Sequence, residues 1–352
     1  MASIISGIQQ MGVGVSDLHE AWKWYRQHFG MDIRVFEDEA IAELMLPHTD
    51  GQPRKRYAAL AMNMQGGGGF EIWQHTGKTP EPCGFQILLG DLGINIAKVK
   101  SRDVRLAHKN FVDKGLEVLT EVVTDPSGNE NFFVKDPYGN VFQIVKEAYF
   151  FQKEKSVNGG IYGAIIGVTD FERAKTVYCD ILGYDEIVYD EQGKFEDLNG
   201  VPGGEETMRR VLLKHSEERT GPFSKLFGPS QIELISVKTR EPRKIYEGRI
   251  WGDPGFIHLC FDIQGMDALR KKCTEKGFPF TVDSADSFDM GVAAGHFAYI
   301  EDPDGTLIEF VETHRLPIIK KVGWYMNLDK RKLGQRLPNW MVKTIAWGRI
   351  RD

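Results

Sequence analysis

The sequence predicts an α+β protein with two related domains, each built from two modules that contain one strand, one helix and three further strands. The prediction rests on three pairs of matching segments that recur in one order: VGVSDLHEAWKWYRQHFG (13–30) and IGVTDFERAKTVYCDILG (166–183), FEIWQ (70–74) and IELIS (232–236), DPYGNVFQIVKE (136–147) and DPDGTLIEFVET (302–313). The offset between copies grows from 153 to 162 to 166 residues, as loop insertions would produce. Such a repeat indicates two copies of one structural unit.

The first matching pair predicts a short strand followed by a helix. In each copy an apolar run precedes an aspartate, Asp17 or Asp170, whose side chain can accept a hydrogen bond from the first helical turn. Apolar residues then recur three and four positions apart, which is typical of an amphipathic helix. Each pattern ends at a glycine, Gly30 or Gly183, the residue that most readily adopts the left-handed conformation of a helix stop.

The last matching pair predicts a turn that leads into a closing strand. Side chains in a strand alternate between faces, so Leu307, Glu309 and Val311 share one face of the second copy. Glu309 therefore lies between two aliphatic neighbours. The first copy keeps the turn and the apolar pattern but has Gln143 at this point. Because the strand does not need a charge there to fold, the carboxylate of Glu309 is better explained by chemistry than by stability.

The remaining segments complete the modules. Residues 94–116 and 256–278 each have the pattern of a strand and a helix that ends at Lys-Gly. We therefore expect modules that start near residues 8, 93, 161 and 255, with a domain boundary in the charged stretch FFQKEKSVNGG. The predicted division is 1–152 for an N-terminal domain, 153–315 for a C-terminal domain and 316–352 for a basic tail.

The tail lies outside the repeats and has an unusual composition. It carries nine Lys or Arg, two Asp and three of the seven Trp (Trp324, Trp340 and Trp347). Basic residues mixed with Trp are also found at membrane surfaces and nucleic-acid sites. We expect instead that the tail packs over the body or over a partner subunit, because Trp is common at interfaces.

Composition excludes several classes of function. A net charge of −6 gives no global indication of nucleic-acid binding, and no apolar run approaches the ~20 residues of a membrane span. The N-terminus lacks the positive and long apolar regions of a secretory signal. The four cysteines (Cys83, Cys179, Cys260 and Cys273) form no CxxC pair, which argues against a zinc ribbon or disulfide scaffold. We expect a cytoplasmic protein.

Paired modules with a helix-initiating aspartate, and closing strands of the form DPDGxxIEF, resemble the vicinal oxygen chelate (VOC) superfamily. This superfamily includes glyoxalase I, methylmalonyl-CoA epimerase, extradiol ring-cleaving dioxygenases and metal-free bleomycin-resistance proteins. The resemblance covers residues 7–313. It implies that two modules form one cup-shaped, open mixed sheet, so that four modules give two cups. It also implies that the first and last strands of each module offer the ligands of a divalent metal ion.

In the N-terminal domain the resemblance places Gln10, Glu71, Ile94 or Ile96, and Gln143 at the ligand positions. One carboxylate and two amides without a histidine make a poor divalent site. We expect this domain to be metal-free and to serve as a scaffold, a partner surface or a separate pocket.

In the C-terminal domain the corresponding positions are Gly163, Glu233, His258 and Glu309. The resemblance therefore implies metal ligation by Glu233, His258 and Glu309, with water or substrate at the Gly163 position. This donor set suits Fe, Mn, Zn, Co, Ni or Mg. We further expect His296 to point into this cup as a catalytic acid or base or as a substrate contact, and Tyr299 to belong to the core.

Three functions remain open. A metal-dependent lyase or isomerase would bind adjacent substrate oxygens, and Glu233 or Glu309 would also act as the base that removes a proton alpha to a carbonyl. An extradiol-type dioxygenase with non-haem Fe(II) is the alternative, although the first of its two histidines is missing at Gly163. A non-enzymatic binding protein of the bleomycin-resistance type would not need inward acidic residues. We expect the enzyme, a small-molecule substrate and possible assembly as a homodimer.

Overall fold

The computed structural model describes residues 2–285, 288–289, 294–319, 324–328 and 331–351. It describes only the backbone of residues 288, 289, 294, 316–319, 324 and 325. Trp324, on which part of the tail prediction depends, therefore has its side chain outside the described residues. The four predicted modules are present, and their first strands begin at residues 4, 93, 158 and 255.

The first two modules have the predicted order of strand, helix and strands. Module one consists of β1 (Ile4–Gly14), α1 (Leu18–Phe29), β2 (Ile33–Ala42), β3 (Arg54–Met62) and β4 (Gly69–His75). Module two consists of β5 (Gly93–Ser101), α2 (Val104–Asp113), β6 (Glu117–Val118), β7 (Val123–Thr124), β8 (Glu130–Lys135) and β9 (Val141–Lys146). Its second strand is thus divided into two short pieces.

The last two modules repeat this order. Module three consists of β10 (Asn158–Gly167), α3 (Phe171–Lys175) with a π-helical continuation (Thr176–Ile181), β11 (Glu186–Gly193), β12 (Met208–Lys214), α4 (Ser224–Phe227) and β13 (Gln231–Val237). Module four consists of β14 (Gly255–Gln264), α5 (Met266–Glu275), β15 (Val282–Asp283), β16 (Phe288–Asp289), β17 (Ala294–Glu301) and β18 (Leu307–Thr313). The tail adds β19 (Arg315–Ile319), β20 (Trp324–Asn327) and α6 (Asn339–Val342).

The strands form two large sheets, and each sheet joins two modules. One sheet has the order β15-β17-β18-β14-β1-β4-β3-β2, with β16 beside β17, and so combines modules one and four. The other has the order β11-β12-β13-β10-β5-β9-β8-β6, with β7 beside β8, and combines modules two and three. We call them the first cup and the second cup. An α+β fold of four modules paired into two cup-shaped domains is thereby confirmed.

The pairing of the modules differs from the sequence prediction. Division into 1–152 and 153–315 implied that consecutive modules share a sheet, and this is wrong, because β1 pairs along its length with β14 and β10 pairs with β5. Glycines fit each strand to its partner. A Cβ at Gly12 of β1 would lie 2.5 Å from the His258 ring on β14, and a Cβ at Gly159 of β10 would lie 2.8 Å from the Lys100 chain on β5.

Consecutive modules nevertheless contact each other through their helices. The Tyr25 hydroxyl on α1 donates to Asp136 in the turn before β9, at 2.8 Å, and the Tyr178 hydroxyl donates to Asp302 before β18, also at 2.8 Å. All four side chains are buried or nearly so. The turn aspartates of the repeated closing motif therefore anchor the preceding module's helix.

The helix ends follow the predicted signals. Asp17 accepts a hydrogen bond from the backbone N–H of Glu20, and Asp170 accepts one from that of Arg173. Gly30 ends α1 with a φ of 67° and Gly183 follows the π-helical turn with a φ of 74°. The repeated strand-Asp-helix motif therefore forms the element that it predicts in both copies.

The described part of the tail packs against the body. Arg349 pairs with Asp32 and Glu154, and Val342 is fully buried in a small apolar cluster. Trp340 and Trp347 remain 60% and 71% exposed. Among the described residues, no helix is long and apolar enough to cross a membrane.

Candidate metal centre

Four polar side chains meet at the centre of the first cup, one from each of its four central strands. Gln10 lies on β1, Glu71 on β4, His258 on β14 and Glu309 on β18. β1 runs parallel to β4 and antiparallel to β14, and β18 runs parallel to β14. Two ligand positions of the predicted metal-free domain therefore join two ligand positions of the predicted metal domain.

The four groups are in direct contact. His258 Nε2 lies 3.2 Å from Glu71 Oε2 and 3.1 Å from Glu309 Oε2. Gln10 Nε2 donates to the same two oxygens at 3.2 and 3.3 Å. The candidate ligand atoms of Glu71, His258 and Glu309 all lie within 4.8 Å of one another. Such convergence of one imidazole and two carboxylates is typical of a divalent metal site.

Gly12 provides the space for the histidine. It lies opposite both Glu71 and His258 in the strand register. A Cβ at this position would lie 2.5 Å from His258 Cε1 and 2.7 Å from Nε2, closer than real Cβ contacts allow. The absence of a side chain at Gly12 therefore lets the imidazole lie flat over β1 with its Nε2 facing the carboxylates.

The electrostatics of His258 fit a cation in this place. Burial lowers the pKa of its imidazole, but the charges of Glu309 and Glu71 outweigh burial and raise the pKa to about 9. Nε2 lies within ion-pair distance of both carboxylates. Two carboxylates that converge on one imidazole nitrogen in a buried place require a positive charge there. A divalent ion held by these residues satisfies that requirement, so the donor set fits the group.

A cavity of about 450 Å³ opens over this cluster. Gln10, Glu71 and Glu309 form its floor, and aromatic side chains form much of its wall: Phe36, Trp73, Trp251, Phe297 and Tyr299. Tyr299 pairs with Glu309 in the register of β17 and β18, and its ring lies edge-on to His258 with centroids 5.5 Å apart. Tyr299 is buried in an apolar cluster, which confirms the core position that the sequence predicts, and it also forms part of the cavity wall.

His296 lies on the opposite face of β17. Its Nε2 lies 2.6 Å from Asp283 Oδ1, and Arg270 binds the same carboxylate. Because side chains alternate along a strand, Phe297 and Tyr299 face the cavity whereas His296 does not. His296 is absent from the described residues that line the cavity, so the structure does not support the acid or base role expected for it.

Glu233 lies in the second cup and does not join His258 and Glu309. Its carboxylate accepts from Lys98 Nζ at 2.6 Å, from Arg210 Nε at 2.7 Å and from the Tyr189 hydroxyl at 2.9 Å. Burial raises the pKa of Glu233, but Arg210 and Lys98 outweigh burial and lower it to about 2. The carboxylate of Glu233, which the sequence predicts as a metal ligand, is thus fully paired within a buried ion cluster. It lies in the second cup because module three pairs with module two.

The strand registers identify why the second cup lacks this donor set. Gly163 pairs with Gln231 as Gln10 pairs with Gly69, so Gly163 takes the place of Gln10. Lys98 pairs with Gln143 as Cys260 pairs with Glu309, so Gln143 takes the place of the second carboxylate. Two residues earlier on β5, Ile96 stands where β14 has His258. Only Glu233 retains a charged ligand type, and Arg210 and Lys98 neutralise it.

The sequence prediction places Gln10 and Glu71 at ligand positions but groups them with Gln143. In the structure they lie with His258 and Glu309 instead. One signal in the sequence could have identified the correct set. Each predicted domain holds an incomplete donor set. Module one completes the set of module four, whereas module two offers module three only the amide of Gln143.

Comparisons with known proteins agree with this architecture. Residues 7–144 and residues 164–299 each match a sequence model described as the glyoxalase/bleomycin resistance protein/dioxygenase superfamily. No curated protein matches the sequence significantly.

Solved structures share the fold at low sequence identity. Glyoxalase I from Zea mays is 14% identical, with a TM-score of 0.55, and the match covers 88% of this chain and 92% of that chain. A Bacillus subtilis protein, provisionally assigned as a dioxygenase, is 12% identical, with a TM-score of 0.58 and coverage of 99% and 98%. The two family matches and the two cups together show that the chain belongs to the glyoxalase/bleomycin resistance protein/dioxygenase superfamily, the VOC group that its repeated motifs resemble.

Proposed function

We propose that this protein is a metal-dependent lyase or isomerase whose single centre lies in the first cup. Gln10, Glu71, His258 and Glu309 would hold one divalent ion, and the substrate would bind through two adjacent oxygens. The observation that carries the proposal is the meeting of these four side chains, one from each central strand. The bound ion would supply Lewis-acid polarisation of a substrate oxygen, which makes a neighbouring C–H more acidic.

The chain's own part in the reaction is proton transfer. Glu71 and Glu309 both line the cavity and both reach the cluster with one carboxylate oxygen. Either carboxylate could take a proton alpha to a carbonyl and return it to a neighbouring atom. The His258 ring lies close against Gly12, and the Trp251 ring stacks on it with centroids 6.4 Å apart. Packing therefore constrains the orientation of the imidazole.

The donor set favours proton transfer over ring cleavage. Non-haem Fe(II) dioxygenases use two histidines and one carboxylate. Among the described residues of this centre there is one histidine with two carboxylates and one amide. Gln10 would be a neutral fourth ligand. Rotation of its side-chain amide exchanges the positions of the oxygen and the nitrogen, so the oxygen can face the ion. This donor set suits a metal ion that polarises the substrate while the oxidation state of the ion stays the same.

The metal content tests the first part of the proposal. Protein stripped with EDTA and loaded in turn with Mn²⁺, Fe²⁺, Co²⁺, Ni²⁺, Zn²⁺ and Mg²⁺ should retain about one ion per chain in elemental analysis. Glu309→Gln should weaken binding on the order of 100-fold, because it removes a charged ligand. Glu121→Gln, at a side chain of the second cup that is 91% exposed, is the matched control and should leave metal affinity unchanged. Loss of metal in the control but not in Glu309→Gln would contradict the assignment.

Proton exchange tests the second part. The loaded protein should catalyse deuterium incorporation from D₂O into the α-carbon of hydroxyacetone or 2-hydroxyacetophenone, observed by NMR. Exchange should disappear in the metal-free protein. Uptake of O₂ with cleavage of catechols, and no proton exchange, would favour the dioxygenase instead.

A further inference from the structure

We propose that the substrate of the first cup is a ring-bearing compound that carries no negative charge beyond its chelating oxygens. This inference rests on the proposed function and names the class of substrate for that centre. It follows from the charges and the aromatic surfaces that line the cavity above the four ligands.

The charges that line the cavity disfavour an anion. Besides the ligands Glu71 and Glu309, the residues that line the cavity include two further acids, Asp38 and Glu43. Arg56 is the single cation among the described residues of the lining. With a divalent ion balancing the two ligand carboxylates and Arg56 balancing Asp38, the negative charge of Glu43 remains.

Arg56 is already paired with a carboxylate of the protein. Its guanidinium donates to the Asp38 carboxylate through both terminal nitrogens, and Nη1 also donates to the Asp38 carbonyl at 2.9 Å. Its Cζ lies 5.2 Å from the centroid of the Trp73 ring, in a cation–π contact. Only 14% of the side chain is exposed. A substrate carboxylate would therefore have to share the guanidinium with Asp38.

The walls suit a flat or ring-shaped body. Trp73 and Trp251 meet edge to face with centroids 4.1 Å apart, and Phe297 and Tyr299 meet at 6.1 Å. Phe36 lies on the β2 side of the cavity. Aromatic rings gain from such edge and face contacts beyond simple burial. A ring that chelates the ion through adjacent oxygens would thus lie against aromatic faces, and the described residues of the lining offer it no unpaired cation.

A matched pair of chelators tests the charge preference. Binding of 3,4-dihydroxybenzamide and of 3,4-dihydroxybenzoate to the Mn²⁺-loaded protein is measured by calorimetry. The two differ at one substituent, a neutral amide or a carboxylate. The amide should bind roughly tenfold more tightly. Equal or tighter binding of the benzoate would overturn the proposal.

A matched pair of variants tests the cause. Asp38→Asn frees Arg56, so the preference should fall to about threefold or less, with metal affinity unchanged. Asp190→Asn removes the carboxylate of the equivalent exposed pair with Arg209 in the second cup and should leave the preference unchanged. A preference that survives Asp38→Asn would overturn the role assigned to Arg56.

The ring preference has its own variant. Phe36→Ala should weaken the amide about fivefold without changing metal affinity, and an unchanged amide affinity would overturn this wall as a ring site. If the protein binds Mn²⁺ but neither chelator, the substrate class is wrong and the metal centre stands. If it binds no metal, the proposed function fails and this inference fails with it.

Discussion

At the scale of single residues, a few side chains decide which cup can hold a metal ion. Gly12 leaves room for the His258 imidazole, whereas Ile165 takes the equivalent place on β10 and packs with Ile96 in an apolar cluster. Cys260 lies beside Glu309 in the first cup, and Lys98 takes its place in the second. Strands that pair in equivalent registers can therefore build either a ligand set or a closed interior whose charges cancel.

The space at Gly12 gives a direct prediction. Gly12→Ala should displace the imidazole, because its Cβ would lie 2.5 Å from His258 Cε1, closer than real Cβ contacts allow. We expect a loss of metal affinity of roughly tenfold or more, measured by titration of the metal-free protein. Gly193→Ala is the control, since a Cβ there meets nothing within 4 Å. Unchanged metal affinity in Gly12→Ala would contradict the role of this glycine.

Asp262 gives a prediction about pH. Its carboxyl is buried, Oδ2 has no hydrogen-bond partner among the described residues, and burial raises its pKa to about 7. Because the folded state holds this proton more tightly than the unfolded state does, stability should fall as pH rises from about 4 to about 7. Asp262→Asn removes the ionisation. It should therefore be more stable than the parent by about 2–4 kcal/mol near pH 8 and similar near pH 4.

Denaturant unfolding at the two pH values checks this expectation. Asp267, an exposed acid on α5, offers a control, since Asp267→Asn should leave the pH dependence as in the parent. The same pH dependence in Asp262→Asn and in the parent protein would show that Asp262 is ionised normally in the folded state.

At the scale of elements, the central strands of the second cup carry a buried network in place of a ligand set. Glu233 on β13 binds Lys98 on β5 and Arg210 on β12, and Arg210 also binds Asp197 at 2.8 and 2.9 Å. The four formal charges cancel. Because each side chain is almost fully buried, removal of one member leaves an uncompensated charge in the interior.

The cancellation predicts strong coupling between Lys98 and Glu233. Lys98→Met or Glu233→Gln alone should each lower the free energy of unfolding by about 3–5 kcal/mol. The double variant should lose much less than the sum of the two, because Arg210 and Asp197 remain balanced. A double-mutant cycle by urea unfolding measures the coupling. Additive losses would contradict it, and unchanged metal affinity in all three variants would separate this network from the metal centre.

The sequence predicted the elements better than their partners. The helix caps at Asp17 and Asp170 and the closing strands after the Asp-Pro turns depend on local signals, and the structure confirms them. His258 and Glu309 were correctly placed together because they belong to one module. The prediction places Glu233 in the ligand set where the structure has Glu71. The reason is that no local signal in the sequence indicates which two modules pair through their first strands. Strand alternation in β17 likewise assigns Tyr299, not His296, to the cavity side, and that register depends on β18.

At the scale of the whole molecule, the two cups interlock the two halves of the chain. Each cup takes one module from residues 1–152 and one from residues 153–315. In the first cup, Gln10 and Glu71 therefore come from one half of the chain, and His258 and Glu309 come from the other. The pairing of modules one and four requires the chain to complete both inner modules before the first cup can close. The centre is therefore a property of the full chain and cannot be assigned to either sequence repeat alone.

This interlocking predicts the behaviour of a cleaved chain. A protease site inserted after the exposed Lys153 would allow one cut between the repeats. Residues 1–153 and 154–352 should then stay together on size exclusion and retain their metal, because β1 remains paired with β14 and β5 with β10. They should separate only in denaturant, with the uncut protein as the control. Separation of the halves under native conditions, each with its own folded cup, would restore the pairing of consecutive modules and remove Gln10 and Glu71 from the centre.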